Sequence, residues 1–175
     1  MTSMLLDNHA GRGMDFQAEI NAVNEGYELM NLATFYEVPT PGRHVHSKKG
    51  VIFIRQPSIV DYMGTWNGIS VVIEAKSTVK QSWSLKNLPQ HQLDFLMKQH
   101  FHKAIAGVLL RYTSTGSIFW LPLPELLLYV ERAKRGGRKS IHESEISETL
   151  RVKTTNRCRM DYLATIERLM KNEPD

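Results

Sequence analysis

The sequence predicts an α/β fold in which a central mixed, mostly antiparallel β-sheet is flanked by helices. Three observations predict it. Apolar residues recur at helical spacing near both ends, as Phe16, Ile20, Val23 and Tyr27, and as Leu163, Ile166, Leu169 and Met170. Between them lie short β-branched and apolar runs bounded by turn residues. Two of those runs are joined by Asn67-Gly68, the strongest short-range hairpin signal.

The elements follow in order. Residues 1–13 are polar, carry Gly11 and Gly13, and read as a flexible lead-in to one domain spanning 14–175. Residues 14–35 predict the first helix, with Asp15 as N-cap, and Pro39-Thr40-Pro41-Gly42 ends that unit. Residues 43–49 hold Arg43, His44, His46, Lys48 and Lys49 and are nearly free of apolar side chains. They read either as a solvated loop or as a short basic stalk, at about residues 40–50, that meets a polyanion. Strands are expected at 51–54, 58–65 and 69–76. Residues 88–103 predict a helix, with Asn87 as N-cap and Pro89 in the first turn. Strands at 107–112 and 118–121 flank the loop Ser114-Thr115-Gly116-Ser117. Residues 125–135 form an amphipathic helix started by Pro124 and stopped by Gly136-Gly137, 140–150 are a polar helix candidate, and 162–171 are the last helix.

A chain of 175 residues can bury a core without a disulfide or a structural metal. The formal charge of +4 and the pI of about 9.2 suit a polyanionic partner. The single cysteine, Cys158, rules out an intramolecular disulfide, and nothing around it marks an activated thiol. No signal-peptide pattern opens the chain, and the longest apolar run, 126–130, is too short to span a bilayer. A cytoplasmic protein with no membrane partner is expected. His91, His100 and His102 lack a Cys-rich or His-x-x-x-His context, so zinc is not expected. Trp66, Trp83 and Trp120 read as packing residues. Arg138 and Lys139 read more as capping or packing residues than as phosphate ligands.

The chemistry sits between residues 58 and 92. If Asn67 and Gly68 are the two loop residues, Trp66 pairs with Ile69, and counting outward brings Asp61 opposite Glu74 on the same face. A further two-residue step puts Lys76 on that face, while Ile69, Val71, Ile73 and Ala75 make the other face apolar. A bulge at Met63-Gly64 would slip this pairing by one. Carboxylates opposed across a hairpin have Cβ atoms about 4.5–5.5 Å apart and repel. Lys76 supplies one positive charge; a bound Mg²⁺ is the better solution, because it favours one or two carboxylates with waters and phosphate oxygens. An acid, a spacer, then Glu74-Ala75-Lys76 on a core strand is the layout of the PD-(D/E)xK nucleases.

Longer segments sharpen this. Gly13-Met14, Ile20-Asn21 and Asn24-x-x-Tyr27 resemble the opening helix of the RecU-type Holliday junction resolvases. Pro39-Thr40-Pro41, Gln56-Pro57-Ser58 with Asp61-Tyr62 and Gly64, and Glu74-Ala75-Lys76-x-Thr78 are similar to that family's successive motifs. So are Leu85-Lys86-Asn87 with His91-Gln92, the six-residue run Gly136-Gly137-Arg138-Lys139-Ser140-Ile141, and Met160-Asp161-Tyr162-Leu163. The matches run in order from residue 13 to about 163.

The resemblance implies a restriction-endonuclease-like core and a Mg²⁺-dependent endonuclease, with Mn²⁺ as a substitute, that nicks four-way DNA junctions symmetrically in recombination and repair. It implies Asp61, Glu74 and Gln92 as metal ligands and Lys76 as the residue that stabilises the transition state. The family's remaining metal contact falls at Ile59, where the family usually has Thr, so only the backbone carbonyl could serve. Arg12, Arg43, Lys48 and Lys49 are the expected DNA contacts. A homodimer is implied, with a recombinase or branch-migration helicase as a possible partner, in a bacterial or phage-infected cell. Two departures stand out: Gln17 replaces a common Glu, with Glu19 nearby at another helical angle, and the segment from Pro41 to Asp61 is shorter than usual. A nuclease of the same fold acting on other branched or duplex DNA, or a non-catalytic junction-binding module, are the alternative readings.

Overall fold

The computed structural model describes residues 9–40, 42–47, 50–55 and 58–171. The first helix, α1 (His9–Leu29), leads into β1 (Ala33–Glu37), β2 (Gly42–Ser47), β3 (Gly50–Arg55), β4 (Tyr62–Trp66) and β5 (Ile69–Thr78). After β6 (Ser82–Ser84) and a 3₁₀ turn at Leu85–Asn87 come α2 (Gln90–Phe101), β7 (Ile105–Tyr112), β8 (Ser117–Pro122) and α3 (Leu123–Lys134). The chain ends with β9 (Ser140–His142), 3₁₀ turns at Glu143–Glu145 and Glu148–Leu150, and α4 (Tyr162–Lys171). No helix among the described residues is long and apolar enough to cross a membrane.

Five strands form the main sheet in the order β1-β4-β5-β7-β8. β5 lies in the middle, parallel to β7, and every other pairing is antiparallel. A parallel pair needs a long crossover, and α2 lies within it. The sheet is therefore mixed and flanked by helices, as the sequence predicts, with one parallel step at its centre. Both faces of β5 are covered. Val71 and Ile73 pack in one cluster with Phe16, Ile20 and Tyr27 of α1 and Ile166 of α4. Val72 packs in the other with Leu93 and Leu96 of α2 and Leu126 of α3. Both faces of β5 are thus core-facing, and not the Ile69, Val71, Ile73 and Ala75 face alone. A strand sandwiched between helix layers reads as a continuous apolar run, and Val71-Val72-Ile73 is that run. Glu74 extends it and is only 1% exposed.

The hairpin closes as expected. Asn67 and Gly68 adopt φ of +48° and +77°, the left-handed values of a two-residue type I′ turn. Trp66 pairs with Ile69 and Tyr62 with Ile73, without a bulge at Met63-Gly64.

Other expectations are corrected or refined. The first helix ends at Leu29 instead of reaching Phe35. Asn31 takes φ +52°, and the chain turns into edge strand β1, where Ala33 and Phe35 are buried and Tyr36 and Glu37 exposed. The spacing of Tyr27 to Phe35 fits two helical turns as well as a turn and a strand, so periodicity did not separate them. At its other end α1 reaches back to His9. Residues 140–150 form no α-helix. Ile141 pairs with Trp83, and His142 and Ser147 accept the backbone N–H groups of Ser144 and Thr149, so two short turns form. Such side-chain acceptors compete with helix propagation. Residues 51–54 form a strand as expected, but one that pairs with β2 in a separate two-stranded ribbon and not in the main sheet.

Gly64 sits where β4 passes β1. A Cβ there would lie 2.2 Å from the Thr34 carbonyl oxygen and 2.4 Å from Phe35 Cδ1. Gly64→Ala is expected to destabilise the fold by about 1–3 kcal/mol, the usual cost of overpacking, as read by denaturant unfolding. An unchanged midpoint would contradict this packing.

Candidate active site

Asp61 stands just before β4 and Glu74 near the end of the β5 segment that pairs with it. The Ala75 backbone N–H donates to Asp61 Oδ2 at 2.8 Å, which fixes Asp61 beside Glu74. The other oxygen, Oδ1, accepts from Gln17 Nε2 at 3.1 Å. α1 is itself tied here, because the Tyr62 hydroxyl donates to the Gln17 carbonyl at 3.1 Å. Asp61 is thus held from both the sheet and α1.

Lys76 lies two residues beyond Glu74, on the same face of β5. Its Nζ is 2.5 Å from Glu74 Oε1 and donates to Gln92 Oε1 at 3.1 Å. Gln92 comes from the first turns of α2, where it is 8% exposed. The four residues singled out from the sequence therefore converge. Asp61, Glu74 and Lys76 come from one hairpin, and Gln92 from the crossover helix.

The electrostatics are unbalanced. Glu74 Oε2 is buried and finds no hydrogen-bond donor. Burial, and then the Asp61 charge, push the Glu74 carboxyl up to about 8, against a smaller opposing pull from Lys76. Asp61 can share a hydrogen bond with Glu74 only when one of them is the neutral acid, because two carboxylates are both acceptors. An ionised Glu74 leaves Oε2 orphaned; a protonated one fills the gap. A divalent cation does the same work with more charge.

The family description RecU: Recombination protein U matches residues 11–168. The chain belongs to this family. A RecU Holliday junction resolvase of a Geobacillus species is 31% identical over 172 residues, covering 93% of this chain and 86% of that one. That of Limosilactobacillus fermentum is 32% identical over 171 residues, covering 92% and 81%. Among solved structures, Archaeoglobus fulgidus Hjc, a Holliday junction resolvase, aligns with a TM-score of 0.44 at 16% identity, over 75% of this chain and 85% of that one.

Other RecU-type positions fall as follows. Ile59 lies two residues before Asp61 with its side chain 41% exposed; only its backbone could reach a ligand. Arg12 falls in α1 and Arg43 in β2, while Lys48 and Lys49 lie outside the described residues. Glu19 points to Arg111, pairing with it at 2.8 Å, and does not replace the acid absent at Gln17. Gln17 is the site residue the sequence reading left without a role. Its signal was its place in the opening helix, and an amide there can donate where a Glu could not. Arg138 pairs with Glu145 at 3.1 Å, and Trp66, Trp83 and Trp120 are buried. Cys158 is half-buried, and burial pushes its thiol up.

Among the described residues no group of three or more His, Cys, Asp or Glu side chains is arranged to hold a metal ion by itself. A cation held by Asp61 and Glu74 must complete its shell with the Gln92 amide, a backbone carbonyl, water or phosphate. That oxygen-only set suits Mg²⁺, and the orphaned Glu74 Oε2 is the atom that needs it.

Because Glu74 is raised in the folded chain, the folded state keeps a proton that the unfolded state loses above the ordinary carboxylate range. Its contribution to stability therefore falls as pH rises from about 4.5 to about 8. In chelator, the stability of Glu74→Gln relative to wild type is expected to rise by a few kcal/mol between about pH 5 and pH 8.5. Denaturant midpoints measured across that range test this; parallel curves would contradict a raised Glu74.

Proposed function

We propose that this chain is a Mg²⁺-dependent, structure-selective DNA endonuclease with a restriction-endonuclease-like core, which resolves Holliday junctions by symmetric nicking during recombination and repair. The observation that carries the reading is the buried Glu74 carboxylate, with one oxygen on Lys76 and the other unpartnered beside Asp61. Family membership supports it, since relatives with over four-fifths of their length covered are Holliday junction resolvases.

Asp61, Glu74 and Gln92 would hold the cation, with the Ile59 carbonyl as a further ligand. When bound, the metal acidifies a water and neutralises the scissile phosphate. The protein groups do the rest. Gln17 and the Ala75 N–H orient Asp61. Glu74 and Gln92 hold the Lys76 ammonium in place, so that it donates to the phosphate oxygens as charge builds. The buried walls around Glu74 keep the local dielectric low and strengthen each of these interactions.

Arg12, Arg43, Lys48 and Lys49 contact the DNA backbone, which positions the substrate without reading its sequence. The β2–β3 ribbon serves as the stalk that enters the branch point. Two cuts related by symmetry require two sites, and a two-fold homodimer supplies them.

Purified wild-type protein with Mg²⁺ is expected to nick four-way junctions in opposing strands, and to cut forks and plain duplex more slowly. Asp61→Ala and Lys76→Ala are expected to lose at least about 10²-fold in cleavage, the scale of removing one transition-state donor, while junction binding by gel shift is retained. Equal cutting of plain duplex would reassign the substrate, and a wild-type protein that binds junctions but cuts nothing with Mg²⁺ or Mn²⁺ would make it a binding module.

A further inference from the structure

Immediately after Lys76 the chain enters a cavity of about 290 Å³. Its walls carry the hydroxyls of Ser77, Thr78, Ser82 and Ser84, the Asn87 amide and the Lys80 ammonium, and no carboxylate. We propose that this cavity seats a backbone phosphate of the DNA next to the one that is cut. The proposal rests on the endonuclease reading above and adds a second anchor to it.

The donors are uncommitted. Among the described residues no hydrogen bond engages the side chains of Ser77, Ser82, Ser84 or Asn87, and Lys80 is in no ion pair. Thr78 Oγ1 accepts from the Lys80 backbone N–H at 3.2 Å, which leaves its own hydrogen to donate. Hydroxyls and an amide that can turn their donors inward, one positive charge and no lining carboxylate favour an anion rich in acceptor oxygens.

The walls are held rigidly. The Thr78 carbonyl accepts both the backbone N–H of Thr113 at 2.8 Å and its hydroxyl at 3.1 Å, closing the rim between β5 and β7. Trp83 is buried while Ser82 and Ser84 alternate away from it. β6 is pinned by pairing of Ser82, Trp83 and Ser84 with His142, Ile141 and Ser140, and by the Leu85 N–H on the Lys139 carbonyl. The Gly136-to-Ile141 run thus buttresses the cavity wall; its basic residues need not touch DNA. Thr78 follows Lys76 by two residues on the same face of β5, a step of about 6.6 Å. A DNA strand lying along β5 with one phosphate at Lys76 therefore brings a neighbouring one to this cavity.

The test uses the full chain and a fluorescent four-way junction, with Ca²⁺ replacing Mg²⁺ to prevent cleavage. Lys80→Ala, a change in an exposed turn, is expected to weaken binding about fivefold to tenfold near 0.1 M salt and to reduce the salt slope by about 0.9, one phosphate contact. Ser82→Ala with Ser84→Ala is expected to weaken binding with the slope unchanged, and Lys80→Arg to behave as wild type. Replacing single linkages beside the cut site by neutral methylphosphonates should find one position where wild type loses affinity and Lys80→Ala loses no more. A Lys80→Ala protein with the wild-type slope, or losses that add in full at every linkage, would overturn the proposal alone. Inorganic phosphate that occupies the cavity while Lys80→Ala leaves DNA affinity untouched would assign a soluble ligand and also overturn it. A wild-type chain that does not bind DNA overturns both this proposal and the endonuclease reading.

Discussion

Two carboxylates meet at the end of a tight hairpin, and one of them is almost completely removed from water. Glu74 cannot be ionised there beside Asp61 without help, and the elements around it supply that help in part. The type I′ turn at Asn67-Gly68 sets the register that opposes them. The helix layers on both faces of β5 bury Glu74. The crossover forced by the parallel β5–β7 pair delivers Gln92 to Lys76. α1 delivers Gln17 to Asp61. The remaining deficit is one donor or cation at Glu74 Oε2.

A second buried acid shows what a settled carboxylate looks like in the same chain. Asp161 is 0% exposed. It accepts from the Tyr27 and Thr155 hydroxyls, from Arg157 Nε and from the Ala164 N–H in the first turn of α4. Burial pushes its carboxyl up, but those donors outweigh it and hold Asp161 below the ordinary range. Every donor Asp161 needs is built into the fold. Glu74 has only Lys76, and it rises instead. The contrast separates a structural acid, which caps a helix and ties it to α1, from one left to be completed by a ligand.

Much of this was legible in the sequence where a local rule has one solution. Asn-Gly between apolar strands set the β4–β5 register, and the register placed Asp61, Glu74 and Lys76 together. The last helix has the ends that its sequence predicts, Tyr162 and Lys171. Failures came where two periodicities agree over a short span or where side chains compete with the backbone. Tyr27 and Phe35 fit one long helix, yet the left-handed turn at Asn31 separates α1 from β1. The polar segment after Ile141 has helical composition, yet His142, Glu145 and Ser147 cap their own neighbours. The role of Gln17 was hidden for another reason. It depends on how α1 packs across the sheet, which no local pattern reports.

The most direct test is the proton balance of cation binding. With Glu74 near 8, the metal-free site is mostly protonated at pH 7, and a divalent cation must expel that proton. Calorimetric titration of Mg²⁺ or Mn²⁺ into the protein, in buffers of different ionisation enthalpy, counts the protons released. About one proton released per site at pH 7, falling to none in Glu74→Gln together with most of the affinity, is the expected result. Tight binding without proton release, or binding unchanged by Glu74→Gln, would contradict the account.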